Sequence, residues 1–215
     1  MDRQAWEERW TQGQLGFHRA DTHPLLERFW PRLGLRGGRV LVPLCGKSWD
    51  LDWLAGRGHE VVGVEFVPTA VDAYFNERSI APERTAVDGF PVLRRPGVSL
   101  VVADFFRVHA GVTGVCDAVY DRGAWVAIAP EERARYVQTM SALLVPGAQV
   151  LLLTFEHDLG TGPPHSIPPS ELRTLWRGFS YELLFEQDIL EEEPRFRERG
   201  ATRFIEQVWA GTFAG

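Results

Sequence analysis

Cysteine is nearly missing from this chain. Cys45 and Cys116 are the only two among 215 residues, too few for a disulfide framework, so a buried core has to hold the fold. Such usage suits a reducing compartment. An excess of positive charge is missing too: 23 Lys and Arg stand against 29 Asp and Glu, a formal net charge of −6. The basic residues are dispersed among acidic ones, which excludes the stripe of a nucleic-acid footprint. No apolar run reaches the length of a membrane span, and Met1-Asp2-Arg3-Gln4-Ala5-Trp6 contains no apolar signal core. The expectation is a cytoplasmic protein that acts on a small molecule, with no nucleic acid and no membrane among its partners.

Glycine-rich phosphate loops are lacking as well. Gly46-Lys47-Ser48 repeats the end of a P-loop, but the glycine required at its start is replaced by Leu41, and Pro43 removes one amide from the cradle. That excludes an ATPase or kinase. The dinucleotide fingerprint is incomplete, since only Gly46 stands in the turn and offers no nest for a diphosphate. An adenosine-bearing ligand without pyrophosphate fits better, and S-adenosylmethionine is the common one.

What is present centres on the stretch from Arg39 to Leu51. Val40, Leu41 and Val42 form a continuous apolar run, as a strand buried on both faces of a parallel sheet requires. Gly46 lets the backbone approach a ligand in the turn that follows, and Ser48 is placed to cap the next helix. A second strand, Glu60-Val61-Val62-Gly63-Val64-Glu65, ends in a carboxylate about twenty residues after the turn, the spacing at which doubly wound folds hold ribose hydroxyls.

Strands and helices then alternate. Helices are expected over 4–12, with Trp6 and Trp10 on one face, over 24–33, over 48–57 and from Pro68, with Val71, Tyr74 and Phe75 inward. A third strand over 99–103 ends at Asp104-Phe105-Phe106, where an acid and an aromatic would meet adenine; Asp104 reads equally as a turn cap. A fourth strand over 116–121 turns through Arg122-Gly123-Ala124-Trp125 into a helix over 130–144. A fifth strand, over 150–154, leads to the glycine- and proline-rich loop 160–169, long enough to border a site. After a helix over 170–176, strands near 181–187 and 202–210 imply an antiparallel pair at the sheet edge. The reading is a single α/β domain, 1–215: a Rossmann-like, doubly wound seven-stranded methyltransferase sheet (37–215) with a terminal antiparallel hairpin and an N-terminal helical arm or lid (1–36). Trp6 and Trp10 read as packing or as the closure of an adenosine site. His18, His157 and His165 have no metal spacing and read as surface or packing residues.

Trp6-x-x-Arg9-Trp10 with Gly13-x-x-Gly16-Phe17-His18, Pro43-Leu44-Cys45-Gly46-Lys47, Gly58-His59-x-Val61-Val62-Gly63-Val64-Glu65, Asp121-Arg122-Gly123-Ala124 with Ala127-Ile128-x-Pro130, and Gly162-Pro163-Pro164 occur together. In this combination the chain resembles the thiopurine S-methyltransferase family, in particular its bacterial members, over nearly its whole length. The resemblance implies a cytosolic enzyme that moves the methyl group of S-adenosylmethionine to the sulfur of aromatic or heterocyclic thiols. It implies cofactor contacts at Trp10, Leu44, Glu65, Asp104, Phe105 and Arg122, beside the Gly46 turn already read as a cofactor contact, and a substrate-side arginine at Arg195. Arg122 and Arg195 are the candidate catalytic residues, stabilising a thiolate electrostatically, with no strong base and no metal required. Selenium or tellurium species, or another small nucleophile, are the alternative acceptors in a detoxifying activity, and a non-catalytic adenosyl-ligand sensor is the alternative of another class. A monomer is expected.

Overall fold

The computed structural model describes residues 3–13 and 18–215. Gly16 and Phe17 of the amino-terminal motif lie outside the described residues. The chain begins with α1 (Arg3–Thr11) and α2 (Pro24–Phe29), the latter followed by a 3₁₀ turn, Trp30–Leu33. Pro24 occupies the first turn of α2, where no partner for a backbone N–H is needed, and His23 caps it by accepting the Leu25 N–H at Nδ1.

Strand β1 (Arg39–Pro43) leads into α3 (Asp50–Gly56), β2 (Glu60–Glu65) and α4 (Pro68–Glu77). Ser48 Oγ accepts the Asp50 N–H at 3.2 Å, so the serine caps the first helical residue from two positions upstream. On α4, Val71, Tyr74 and Phe75 are the buried face read from their spacing. The hairpin β3 (Glu83–Val87) and β4 (Phe90–Arg95) precedes β5 (Val98–Val102). The one-turn α5 (Ala110–Thr113), β6 (Cys116–Arg122), α6 (Arg133–Ser141) and β7 (Leu144–His157) follow. The chain closes with α7 (Pro169–Leu175), β8 (Phe179–Asp188), α8 (Pro194–Glu198) and β9 (Phe204–Phe213).

One nine-stranded sheet runs β3-β4-β5-β2-β1-β6-β7-β9-β8. The segment from β5 to β7 is parallel, whereas β9 pairs antiparallel with both β7 and β8. The seven expected strands are present, and the β3-β4 hairpin extends the opposite edge antiparallel to β5. That hairpin turns on Asp88 and Gly89, both at positive φ (49° and 81°), the two-residue Asp-Gly signature of a tight hairpin.

Two cores cover the faces of the sheet. On one, α2, α3 and α4 bury Leu26, Phe29, Leu51, Leu54, Val71 and Tyr74 against Val40, Val42 and Tyr120. On the other, Phe105, Trp125, Tyr136, Met140, Leu172 and Trp176 pack on Leu41, Val119 and Leu152. The strand order reverses at β1, whose neighbours β2 and β6 lead the chain to opposite sides. The crevice outside the carboxyl ends of these strands is where doubly wound folds take their ligands.

Candidate functional site

The carboxyl end of β1 makes a strained turn. Leu44 stands at φ 48° and Gly46 at φ 53°, left-handed values that are disfavoured for leucine and that cluster at functional sites. Three neighbours hold this shape. Cys45 N donates to Val64 O at 3.2 Å. Gly46 N donates to Glu65 Oε2 at 3.0 Å, while the other oxygen of that carboxylate accepts the Val67 N–H at 2.8 Å. From the outer side, Arg78 Nη2 donates to the carbonyls of Lys47 and Ser48 (3.4 and 3.2 Å), and its guanidinium lies 3.9 Å from the centre of the Trp49 ring. Glycine is required twice. A Cβ on Gly63 would sit 2.6 Å from Cys45 Sγ, and one on Gly46 would sit 3.2 Å from Cζ2 of Trp10. Trp10 on α1 therefore lies directly on the turn.

Glu65 is buried, and burial pushes its carboxyl up to about 7 against the pull of the Val67, Gly46 and Phe66 amides. Each oxygen keeps a second lone pair beyond the amide it accepts, enough for a pair of ligand hydroxyls. At the end of β5, exposed Asp104 caps the 3₁₀ turn Phe105–Arg107 by accepting the Phe106 N–H at 2.9 Å. The cap reading is thus realised in the fold. The Phe105 ring is core, 5.0 Å from Tyr136 between centroids.

Beyond β1 the edge is built from side chains. Asp121 and Arg122 are successive on β6 and point to opposite faces. Asp121 is buried toward α6, where it accepts from Ala124 N, Trp125 N and the Tyr136 hydroxyl. Arg122 faces α3, with Nε 3.1 Å from Asp50 Oδ2. Buried Asp50 also accepts from His23 N (2.8 Å) and the Tyr120 hydroxyl (3.1 Å). The same face carries Glu206 of β9, opposite Phe155 and past the position where Arg122 pairs with Leu153. Burial raises Glu206 to about 7, with Arg122 pulling it back and Glu192 and Glu193 pushing it further. His23 Nε2 stands 3.8 Å from Glu206 Oε1, and burial together with Arg122 holds this imidazole down to about 3, hence neutral.

The glycine- and proline-rich loop is tied over this half of the edge. His165 N donates to Val126 O and Ile167 N to Phe155 O, both at 2.7 Å. Arg195 lies on α8 with Nε 2.8 Å from Glu193, and half of its side chain is exposed. The structure therefore brings Trp10, Leu44, Gly46 and Glu65 into one cluster and Arg122 into a second. Asp104 and Phe105 stand at the end of β5, and Arg195 is paired with Glu193, which itself acts on Glu206. His23, Asp50, Arg78 and Glu206 went unread in the sequence. Asp50 resembles an ordinary acid of a first helical turn, and Glu206 an ordinary polar position on a strand. Among the described residues, no group of three or more His, Cys, Asp or Glu is placed to hold a metal, and no helix is long and apolar enough to cross a membrane.

A parallel sheet with a switch point, a glycine turn after β1 and a carboxylate ending β2 form the frame in which doubly wound folds take a nucleoside-bearing ligand. The sheet is shared with Burkholderia thailandensis 1,6-didemethyltoxoflavin-N1-methyltransferase, at a TM-score of 0.66 and 18% identity, over 99% of this chain and 87% of that one. A TehB-like S-adenosylmethionine-dependent methyltransferase from Corynebacterium glutamicum matches at a TM-score of 0.56 and 15% identity, over 96% of each chain. The sequence narrows the class further: residues 1–212 match the thiopurine S-methyltransferase family. The thiopurine S-methyltransferase of Pseudomonas putida KT2440 is 42% identical over 212 residues, 97% of this chain and 98% of that protein. That of Xanthomonas campestris pv. campestris 8004 is 42% identical over 214 residues, 97% and 98% of the two chains. The chain belongs to the thiopurine S-methyltransferase family.

Proposed function

We propose that this enzyme methylates the sulfur of thiopurines or other aromatic and heterocyclic thiols, as a cytoplasmic monomer with no nucleic-acid or membrane partner. The observation that carries this reading is the guanidinium of Arg122 on the acceptor half of the edge, in a chain of the thiopurine S-methyltransferase family. S-adenosylmethionine, when bound, supplies a methyl group made electrophilic by its sulfonium. The ribose falls to Glu65, the Leu44–Gly46 turn takes the amino-acid end, and Asp104 with the Phe105 backbone takes adenine. Trp10 covers the turn and, with α1, excludes water as a lid.

Arg122 acts on the acceptor. A cation beside sulfur favours the thiolate, and Asp50 fixes the guanidinium in place. Arg195, linked to the same region through Glu193, is the second candidate to face the acceptor. The test is a panel of heteroaromatic thiols, aryl thiols and selenium or tellurium acceptors with labelled cofactor, the products being located by mass spectrometry. Methyl on sulfur is the expected result. Methyl on ring nitrogen, or turnover of chalcogen oxyanions alone, would displace the thiol reading.

A further inference from the structure

Among the described residues the buried acids Glu65, Asp121 and Asp50 are satisfied, and one half-buried acid near them is not. Glu65 accepts two backbone amides, Asp121 two amides and a tyrosine hydroxyl, and Asp50 an amide, a hydroxyl and a guanidinium. Glu206, whose side chain is only 14% exposed, is reached by no hydrogen-bond donor among the described residues, and His23 Nε2 stands 3.8 Å off. His23 is no counter-ion, because its Nδ1 accepts the Leu25 N–H and its ring is neutral. The groups around this carboxylate are His23 and Arg19 from the segment before α2, Asp50 from α3, Arg122 from β6, and Glu192 and Glu193 from the segment before α8. Arg122 is held by Asp50 and, like Arg19, draws on the Glu206 carboxylate without a hydrogen bond to it, while Glu192 and Glu193 repel it. A largely covered carboxylate at a ligand edge, with no donor from the described residues on it, is open to a donor that arrives with the ligand.

Resting on the heteroaromatic-thiol reading, we propose that Glu206 binds the ring N–H beside the acceptor's thiocarbonyl and takes that proton as the sulfur is methylated. Heteroaromatic thiols exist largely as thiones, with hydrogen on the adjacent ring nitrogen, so methylation at sulfur requires this proton to leave. In the step, the N–H bond breaks and its proton goes to the Glu206 carboxylate. The electron pair moves into the ring, C=S becomes C–S, and the new S–CH₃ bond forms as the carbon–sulfonium bond of the methyl donor breaks. Arg122 and Glu206 lie on one face of the sheet, so the N–C=S unit meets a cation at sulfur and an acceptor at nitrogen. Burial and the neighbouring acids bring this carboxyl to about 7, a proton affinity matched to a neutral solution. The proton then leaves to solvent through the exposed part of the side chain. Glu206 thereby selects thiones that carry N–H next to sulfur over simple aryl thiols.

The experiment compares the parent, Glu206→Gln and Glu206→Asp on two acceptors, a heteroaromatic thione with ring N–H and a thiophenol with none. Glu206→Gln is expected to lose roughly 100-fold or more in kcat on the thione near neutral pH, the usual range for a removed general base. On the thiophenol it should lose less than about threefold, and Glu206→Asp should recover part of the thione activity. A second readout is spectroscopic. With the demethylated cofactor bound, the absorption of the thione should move toward that of its anion in the parent and not in Glu206→Gln. Calorimetric binding of the demethylated cofactor shows that a variant is folded; if Glu206→Gln fails that check, Glu206→Asp decides by the same acceptor comparison. Equal losses on both acceptors, or none on the thione, would overturn the assignment while leaving S-methylation standing. A parent that methylates neither acceptor on sulfur overturns the thiol reading itself.

Discussion

The two halves of the carboxyl edge are built in opposite ways. On the half proposed for the cofactor, from β5 to β1, the turn after β1 is shaped by backbone amides gathered on one carboxylate, Gly46 N and Val67 N on Glu65, all within one β-α-β unit. On the half proposed for the acceptor, from β6 to β9, the groups are side chains drawn from distant segments: His23, Asp50, Arg122 and Glu206. Main-chain geometry tolerates few sequences, whereas side chains from separate segments can be exchanged one at a time, so the second half is the easier one to adapt to a different ligand.

Removing Glu65 should break the cofactor half outright. Glu65→Ala leaves two buried amides without an acceptor, at roughly 1–3 kcal/mol each, so denaturant unfolding should show a loss of roughly 2–6 kcal/mol. Binding of the demethylated cofactor, measured by calorimetry, should weaken by about ten- to a hundredfold. Unchanged affinity would take the ribose away from this residue and leave it a purely structural role.

The acceptor half should respond through pH. Glu206 rises from 4.5 to about 7 in the fold, so between those values the native state holds a proton that the unfolded chain has released. Stability from this group is then present below about 4.5 and is lost as pH rises through 7, by an amount on the order of 3 kcal/mol. Glu206→Gln should flatten that slope, so that parent minus variant stability falls from pH 5 to pH 8 in urea titrations. A difference independent of pH would mean that this carboxyl ionises as it does in the unfolded chain.

The same division explains what the sequence disclosed. Val40 to Val42, Gly46 and Glu65 were legible because a strand buried on both faces, a left-handed glycine and a strand-end carboxylate each leave a local mark. The alternation of strands and helices disclosed the doubly wound parallel sheet, and the two late strands its antiparallel edge. The β3-β4 hairpin was missed, although Asp88-Gly89 marks it, because β3 is short and largely exposed and β4 buries only Val92 and Leu93, too little for a hydrophobic pattern. Arg122 was legible as a motif, but its partner was not: alternation along β6 turns it away from neighbouring Asp121 and toward Asp50, a consequence of packing that no spacing reveals. Glu206 and His23 come from nearly opposite ends of the chain and meet only because β9 inserts beside β7.

If Arg122 serves the acceptor by favouring its thiolate, Arg122→Lys should lose about tenfold in kcat/KM at neutral pH. The lysine keeps a charge but not the planar fork that Asp50 orients. Above the pKa of the acceptor the thiolate forms without help, and the deficit should shrink to less than about threefold. A deficit of the same size across the pH range would assign Arg122 to positioning alone.

The smallest effect is expected where the halves share a cover. Trp10 lies against Gly46, close enough that a Cβ there would collide with its ring. His18 is depressed by burial and by Lys47, with Arg122 adding to it. Permanent packing and a closing lid both place an indole on this turn, and ligand dependence separates them. Trp10→Ala should weaken the demethylated cofactor by about three- to tenfold, the value of one partly buried aromatic contact, and leave the urea midpoint nearly unchanged. In the parent, amide exchange over residues 6–13 should slow when that ligand binds, whereas β7, whose Leu151 to Leu153 are buried in the sheet centre, should exchange equally slowly with and without it. Exchange in α1 that ignores the ligand, together with a lowered urea midpoint in Trp10→Ala, would make this tryptophan a fixed part of the core and leave water exclusion to the loop that carries His165 and Ile167.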